Sequence, residues 1–168
     1  MDEVRPQARA HALPIGQPSR VPMPGTVAAV MSHPLITVDV AVSLEQAYAR
    51  MRDEGVHHLL LTDRGRVVAM VSDRNLIRAL GLGPSQRETD SRYRRHPVLQ
   101  VASYQLVTVD ESAPVETAAV LMLDAGVSGL PVVNEASEVV GILTSRDLLR
   151  YVADLGRRSS KADLRRAS

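Results

Sequence analysis

Apolar positions along this chain follow two rhythms, and the order of the rhythms is written twice. A short β-branched run, Ile36-Thr37-Val38, precedes the segment SLEQAYARMRDEG, where Leu44, Ala47, Tyr48 and Met51 recur at helical spacing. Two nearly continuous apolar runs follow, HHLLLT and VVAMVS, joined through the polar DRGR, and these predict strands buried on both faces. A second helical stretch, DRNLIRAL, closes the unit. The order then repeats: Val107-Thr108-Val109, the helix PVETAAVLMLDAG, the runs GLPVV and VVGILT around NEASE, and SRDLLRYVADL. Gly55 and Gly126 stand at matching helix ends, where a left-handed residue is easiest. Pro114 suits a first helical turn, since its missing N–H has no partner to lose there.

The two copies align residue by residue. A shift of 71 positions, Val27 onto Val98, preserves Val30, Ser32, Leu35, Thr37, Val38, Asp39, Glu45, Ala47, Met51, Asp53, Gly55, Val56 and Leu59. One residue inserted in the second polar turn moves the shift to 72, and Val67, Val68, Arg74, Leu76 and Arg78 then match as well. An internal repeat of this length names the architecture before any motif does. One such unit buries too little surface to stand alone. The expectation is therefore an α/β (α+β) fold: two pseudo-twofold-related β-α-β-β-α repeats packed through their sheets. The expected boundaries are a disordered leader over residues 1–24, repeat 1 over 25–80, and a polar arginine-bearing linker over 81–97. Repeat 2 then covers 98–155, and a basic tail covers 156–168.

Composition narrows the chemistry. The 168 residues contain no Cys, Phe or Trp, so the core is aliphatic, and disulfides, thiolate metal sites and cysteine nucleophiles are excluded. No apolar stretch approaches the roughly 20 residues that span a bilayer. The leader lacks the apolar core of a secretory signal, so a cytoplasmic protein is expected. The net charge of +1 conceals an uneven distribution, because residues 156–168 hold five basic groups against one acid. That tail, with linker arginines Arg87, Arg92, Arg94 and Arg95, allows nucleic-acid binding as an alternative, disfavoured by the absence of an aromatic for stacking. There is no Gly-x-Ser-x-Gly, phosphate-binding Walker loop or His-Glu-x-x-His pattern, so an enzyme is not expected.

The most informative stretch closes each repeat: Gly141-Ile-Leu-Thr144-Ser-Arg-Asp147 and Ala69-Met-Val-Ser72-Asp-Arg-Asn75. A strand is expected to end and a helix to begin at Thr144 and at Ser72. A hydroxyl at the N-cap with an acid or amide three residues later is a capping box. The same arrangement suits an anion, because a helix N-terminus offers unpaired N–H groups and partial positive charge. A carboxylate one turn in accepts both hydroxyls of a ribose.

Two β-α-β-β-α units that each end in Gly/Ala-Φ-Φ-Thr/Ser-x-x-Asp/Asn (Φ apolar) resemble a tandem cystathionine-β-synthase (CBS) domain pair, the Bateman module. The resemblance implies a stand-alone regulatory protein with no catalytic residues, no cofactor and no metal. It would bind an adenosine nucleotide (AMP, ADP, ATP or S-adenosylmethionine) in the inter-repeat cleft and pass an energy-sensing signal to an effector protein by conformational shift. Carried over residue by residue, Thr144 contacts phosphate and Asp147 holds ribose, with Val107, Thr108, Val127, Leu130 and Pro131 against the adenine. The first cleft has Ser72, Asn75, Ile36 and Thr37 in the matching places. His57 and His58 also stand there, where some family members set a His-Arg pair against phosphates. Binding through a protonated imidazole would weaken as pH rises. Asn75 departs from the pattern: an amide lacks the charge of a carboxylate, a difference of about 1 kcal/mol. Ala69, opposite Gly141, is expected to crowd the sugar, so the first cleft is the weaker. Such modules pair as homodimers, with surfaces between residues 58 and 78 expected in the contact. The alternative within the family is a ligand-free interaction scaffold that keeps Thr144 and Asp147 only as a helix cap.

Overall fold

The structure is a computed structural model that describes residues 12–19, 21–82 and 93–166, with side chains described through Arg158. The chain forms two compact units that interleave in sequence. Residues up to Ile15 and Leu35–Leu106 make the first; Gly16–Pro34 and Val107–Ser168 make the second.

In the first unit, β2 (Thr37–Asp39) leads through Ser43 into α1 (Leu44–Glu54). The Ser43 hydroxyl accepts from the Gln46 amide while the Gln46 side chain accepts from the Ser43 N–H, a complete capping box that fixes where the helix starts. Gly55 ends it in the left-handed conformation, at φ 65° and ψ 29°. The chain returns as β3 (His58–Asp63), parallel to β2, and turns at Arg64-Gly65, both at positive φ, into antiparallel β4 (Arg66–Ser72). Helix α2 (Asp73–Ala79) closes the unit. Leu44, Ala47, Met51, Leu59, Leu61, Val71 and Leu76 form an aliphatic core. Each fully enclosed side chain of this kind contributes about 1.5–3 kcal/mol.

The leader, expected to be unstructured through residue 24, adds a strand instead. Leu13–Pro14 (β1) pairs antiparallel with Val67 and Arg66 on the edge of β4, and the Arg66 guanidinium donates twice to the Ala12 carbonyl. An otherwise unpaired strand edge supplies the reason, since a proline fits there without interrupting a ladder. Residues 1–11 of the leader, and residues 83–92 of the expected linker, lie outside the described residues.

The second unit repeats the pattern with β5 (Val109–Asp110), α3 (Val115–Ala125), β6 (Gly129–Val133), β7 (Val139–Thr144) and α4 (Ser145–Arg166). Pro114 is the N-cap of α3, and Gly126 ends that helix at φ 65° and ψ 29°, the same geometry as Gly55. In the β6–β7 connection the Asn134 side-chain oxygen accepts from the Ala136 and Glu138 amides, which absorbs the inserted residue. The core gathers Val109, Ala118, Met122, Leu130, Val132, Val140 and Leu143 with Val27, Ala28 and Met31. Helix α4 does not stop at residue 155. It runs through Gly156 to Arg166, because no left-handed or proline stop interrupts it.

Each unit thus takes a segment that precedes the other unit's first strand. Val27 and Ala28 donate to the Ala113 and Glu111 carbonyls, and Ser32 exchanges two backbone hydrogen bonds with Ile142. Val98 donates to Val42, and Ser103 exchanges the same pair of bonds with Met70. No described helix is long and apolar enough to cross a membrane.

Candidate functional site: the β7–α4 junction

Strand β7 is placed against β6 with Thr144 opposite Gly129, and the Ser145 amide donates to the Ser128 carbonyl at 3.0 Å. The chain therefore passes from strand to helix at Thr144 with no freedom in register. Asp147, one turn into α4, reaches back. Its Oδ2 accepts from the Thr144 amide at 2.9 Å and from Thr144 Oγ1 at 2.6 Å, and Thr144 Oγ1 accepts from the Asp147 amide at 3.4 Å. This is the capping box expected from the spacing.

The surroundings of Asp147 were not expected. Its carboxylate is buried, and Oδ1 accepts from Ser32 Oγ at 3.2 Å, with the exposed Arg150 guanidinium 3.7 Å away. Ser32 lies on the segment that precedes β2 in sequence yet belongs to the second unit. Its one visible signal was its identity with Ser103 across the repeat.

Gly141 has a local explanation of the same kind. A Cβ built there would overlap the Met31 thioether and crowd the Ser32 carbonyl at 3.3 Å, so glycine makes room for the Met31–Ser32 segment. Glycine at 141 thus has a packing reason of its own, apart from any sugar. In the first unit the position matching Met31 is Ala102, one residue before the Ser103–Met70 bridge. The repeats have exchanged size between partners: glycine with methionine in one, alanine with alanine in the other.

The remaining positions divide by burial. Leu130 is fully enclosed in the core and serves packing, and Pro131 is buried in β6 opposite Ile142. Val107, Thr108 and Val127 are half-buried, with Val107 and Val127 against the core.

In the first unit Ser72 and Asn75 form the matching box: Asn75 Oδ1 accepts from the Ser72 amide at 3.2 Å and from its hydroxyl, and Ser72 Oγ accepts from the Asn75 amide at 3.3 Å. Asn75 is exposed where Asp147 is buried, while Ser72 and Thr144 are both half-buried. His57 is held by Asp73, with Nδ1 2.8 Å from Oδ2, and Asp73 Oδ1 accepts from the Arg74 amide. The acid at the first position of α2 replaces the neutral Ser145 of α4. His58 pairs opposite Ser72 on β3. Ile36 packs on the core, and Thr37 pairs with Leu60. No cluster of metal-ligating side chains occurs among the described residues.

Comparison with known proteins bears directly on this arrangement. The CBS domain model matches residues 27–82 and 98–154, both repeats. An uncharacterized protein of Methanocaldococcus jannaschii is 30% identical over 137 residues, which is 77% of this chain and 32% of that protein. The chain thus spans about a third of that relative's length. The CBS domain pair of protein MJ0100, solved in complex with 5′-methylthioadenosine and S-adenosyl-L-methionine, is 25% identical. Its TM-score is 0.65 over 77% of this chain and 96% of that one. CBS domain protein PAE2072 from Pyrobaculum aerophilum, solved with AMP, is 25% identical, with a TM-score of 0.61 over 76% of this chain and 98% of that one. With a family match on each repeat and the same fold in both solved pairs, the chain belongs to the CBS domain family, as a tandem pair of the Bateman type.

Proposed function

We propose that this chain is a regulatory, non-catalytic module that binds an adenosine nucleotide or S-adenosyl derivative at the β7–α4 junction and signals its occupancy to a protein partner. The observation that carries the reading is the Ser32–Thr144–Asp147 arrangement. It gives a buried carboxylate held in place by hydroxyl donors, at the N-terminus of a long helix. The complexes of the two related pairs with AMP and with S-adenosyl-L-methionine support the ligand class. Thr144, Asp147 and the half-buried Val107, Thr108 and Val127 are the residues we assign to it.

Asp147 supplies the signal as well as the grip. Ribose hydroxyls are donors of the same kind as Ser32 Oγ, so a ligand that takes Asp147 Oδ1 displaces Ser32. Three residues later the chain enters the first unit at Leu35. A ligand that favours the displaced over the engaged serine shifts the population between the two. In the first unit, the Asp73 carboxylate engages His57 Nδ1 at 2.8 Å and sets an acidic side chain where a phosphate would approach. The second unit is therefore the stronger site.

A scaffold reading draws on the same hydrogen bonds, since Thr144 and Asp147 already satisfy one another as a cap. Calorimetric titration with AMP, ATP and S-adenosylmethionine separates the two. Saturable binding that is lost in the Asp147→Ala chain supports the sensor. Absence of heat with every ligand, in a chain that melts cooperatively, leaves the scaffold.

A further inference from the structure

Among the described residues three polar or charged side chains are buried, Glu111, Asn134 and Asp147, and all three belong to the second unit. Each meets the same stretch of chain, residues 16–32, which precedes β2 in sequence. Both carboxylate oxygens of Glu111 accept from the Ser19 amide at 3.2 Å. Asn134 Nδ2 donates to the Gln17 carbonyl at 3.4 Å, and Asp147 Oδ1 accepts from Ser32 Oγ. The matching positions of the first unit are Val40, Asp63 and Asn75, none of them buried. A valine thus serves the fold where Glu111 stands. An enclosed carboxylate is costly unless it is hydrogen-bonded, and Glu111 makes its bond to the leader.

Gly16 shows how closely the leader is seated. Its amide donates to the Val139 carbonyl at 3.0 Å, and a Cβ built there would overlap the Glu138 side chain. The close approach requires the glycine. From this seat the contacts lead toward Asp147. The Glu111 side chain holds Ser19, while its own carbonyl accepts from the Ala28 amide at 2.8 Å. Ala28 lies in the short helical turn Val27–Ala29, and the Met31 amide donates back to the Val27 carbonyl at 2.8 Å. Met31 is buried, and beside it Ser32 reaches Asp147. Glu111 therefore grips the leader with its side chain and the serine-bearing turn with its backbone.

We infer that the leader is an autoinhibitory strap on the second unit, with Glu111 as the positioning residue that keeps Ser32 on Asp147 against an incoming ligand. The inference rests on the assignment of Asp147 to that ligand. While Ser19 stays on Glu111, the Val27–Ala29 turn stays in place and Ser32 competes for Asp147 Oδ1. Release of the leader frees the serine and raises affinity. Coupling of this kind is reciprocal, so a ligand that displaces Ser32 loosens residues 16–19 by the same factor. The leader is the element that carries occupancy to a partner.

Hydrogen–deuterium exchange of the full chain without ligand tests the strap on its own. In Glu111→Ala the Gly16 amide, and with it the Ala28, Met31 and Ser32 amides, is expected to exchange about tenfold faster, while α1 and β3 keep their rates. Ser19→Pro removes the donor at an exposed position and is expected to do the same, should Glu111→Ala misfold. Calorimetry with AMP and S-adenosylmethionine provides the second arm. Either variant is expected to bind several-fold more tightly than the wild type, with no further gain when Ser32→Ala is added. Unchanged exchange at residues 28–32 in both variants overturns the inference. Weaker binding overturns it too, as does a gain that multiplies with that of Ser32→Ala. A wild type that binds neither ligand overturns the nucleotide reading, and the exchange result still decides whether the leader positions Ser32.

Discussion

Ser32 Oγ donates to Asp147 Oδ1 at 3.2 Å across 115 residues of sequence, inside one unit. The bond ties the segment leading into the first unit to the helix cap of the second. Ser32→Ala should lower stability by about 1 kcal/mol, the usual worth of one hydrogen bond. If a ribose hydroxyl takes the serine's place, the same change raises affinity several-fold, because the free state loses a contact that the complex never had. Chemical denaturation and calorimetry on one preparation check both signs; affinity that falls with stability would mean that Ser32 stays in the occupied site.

Asp147→Ala should cost more than a simple cap. It leaves the half-buried Thr144 amide and hydroxyl and the exposed Ser32 hydroxyl without their acceptor, a loss of about 2 kcal/mol. Asp147→Asn, which copies the arrangement at Asn75, should cost about 1 kcal/mol and weaken adenosine-ligand binding roughly fivefold to tenfold. Wild-type stability and affinity in the Asp147→Asn chain would show that the charge of the carboxylate contributes nothing.

Gly141→Ala should destabilise by about 1–3 kcal/mol, as overpacking against Met31 does in a filled core. Met31→Ala alone should also destabilise, by about 2–5 kcal/mol, through the cavity it leaves. The double variant recreates the Ala69–Ala102 combination of the first unit, so its cost should be smaller than the sum of the two. A double-mutant cycle by urea unfolding measures the coupling, and strict additivity would refute the contact.

Nucleotide stoichiometry should be one per chain. Asp73 holds His57 and adds negative charge at the start of α2, where the second unit has neutral Ser145. Asp73→Ser should admit a second, weaker AMP, seen as a stoichiometry rising toward two by calorimetry. Two equal sites in the unaltered chain would contradict this account.

The sequence by itself determined the local structure and its duplication. Helical spacing at Leu44, Ala47 and Met51, glycines at 55 and 126, and hydroxyl-x-x-acid or amide spacing at Thr144–Asp147 and Ser72–Asn75 are short-range signals. Each is set by the sterics and hydrogen bonding of neighbouring residues, so each could be read directly and twice. Tertiary structure decided which pieces complete which unit. The Met31–Ser32 segment serves the second unit, Leu13–Pro14 covers the edge of β4, and Leu130 is committed to the core. These depend on pairings between residues far apart in the chain, where a strand edge needs partners and a buried carboxylate needs donors from any element that can reach it. The glycine at 141 shows the division most clearly: its presence was plain in the sequence, but its reason, the methionine packed against it, exists only once the chain has folded.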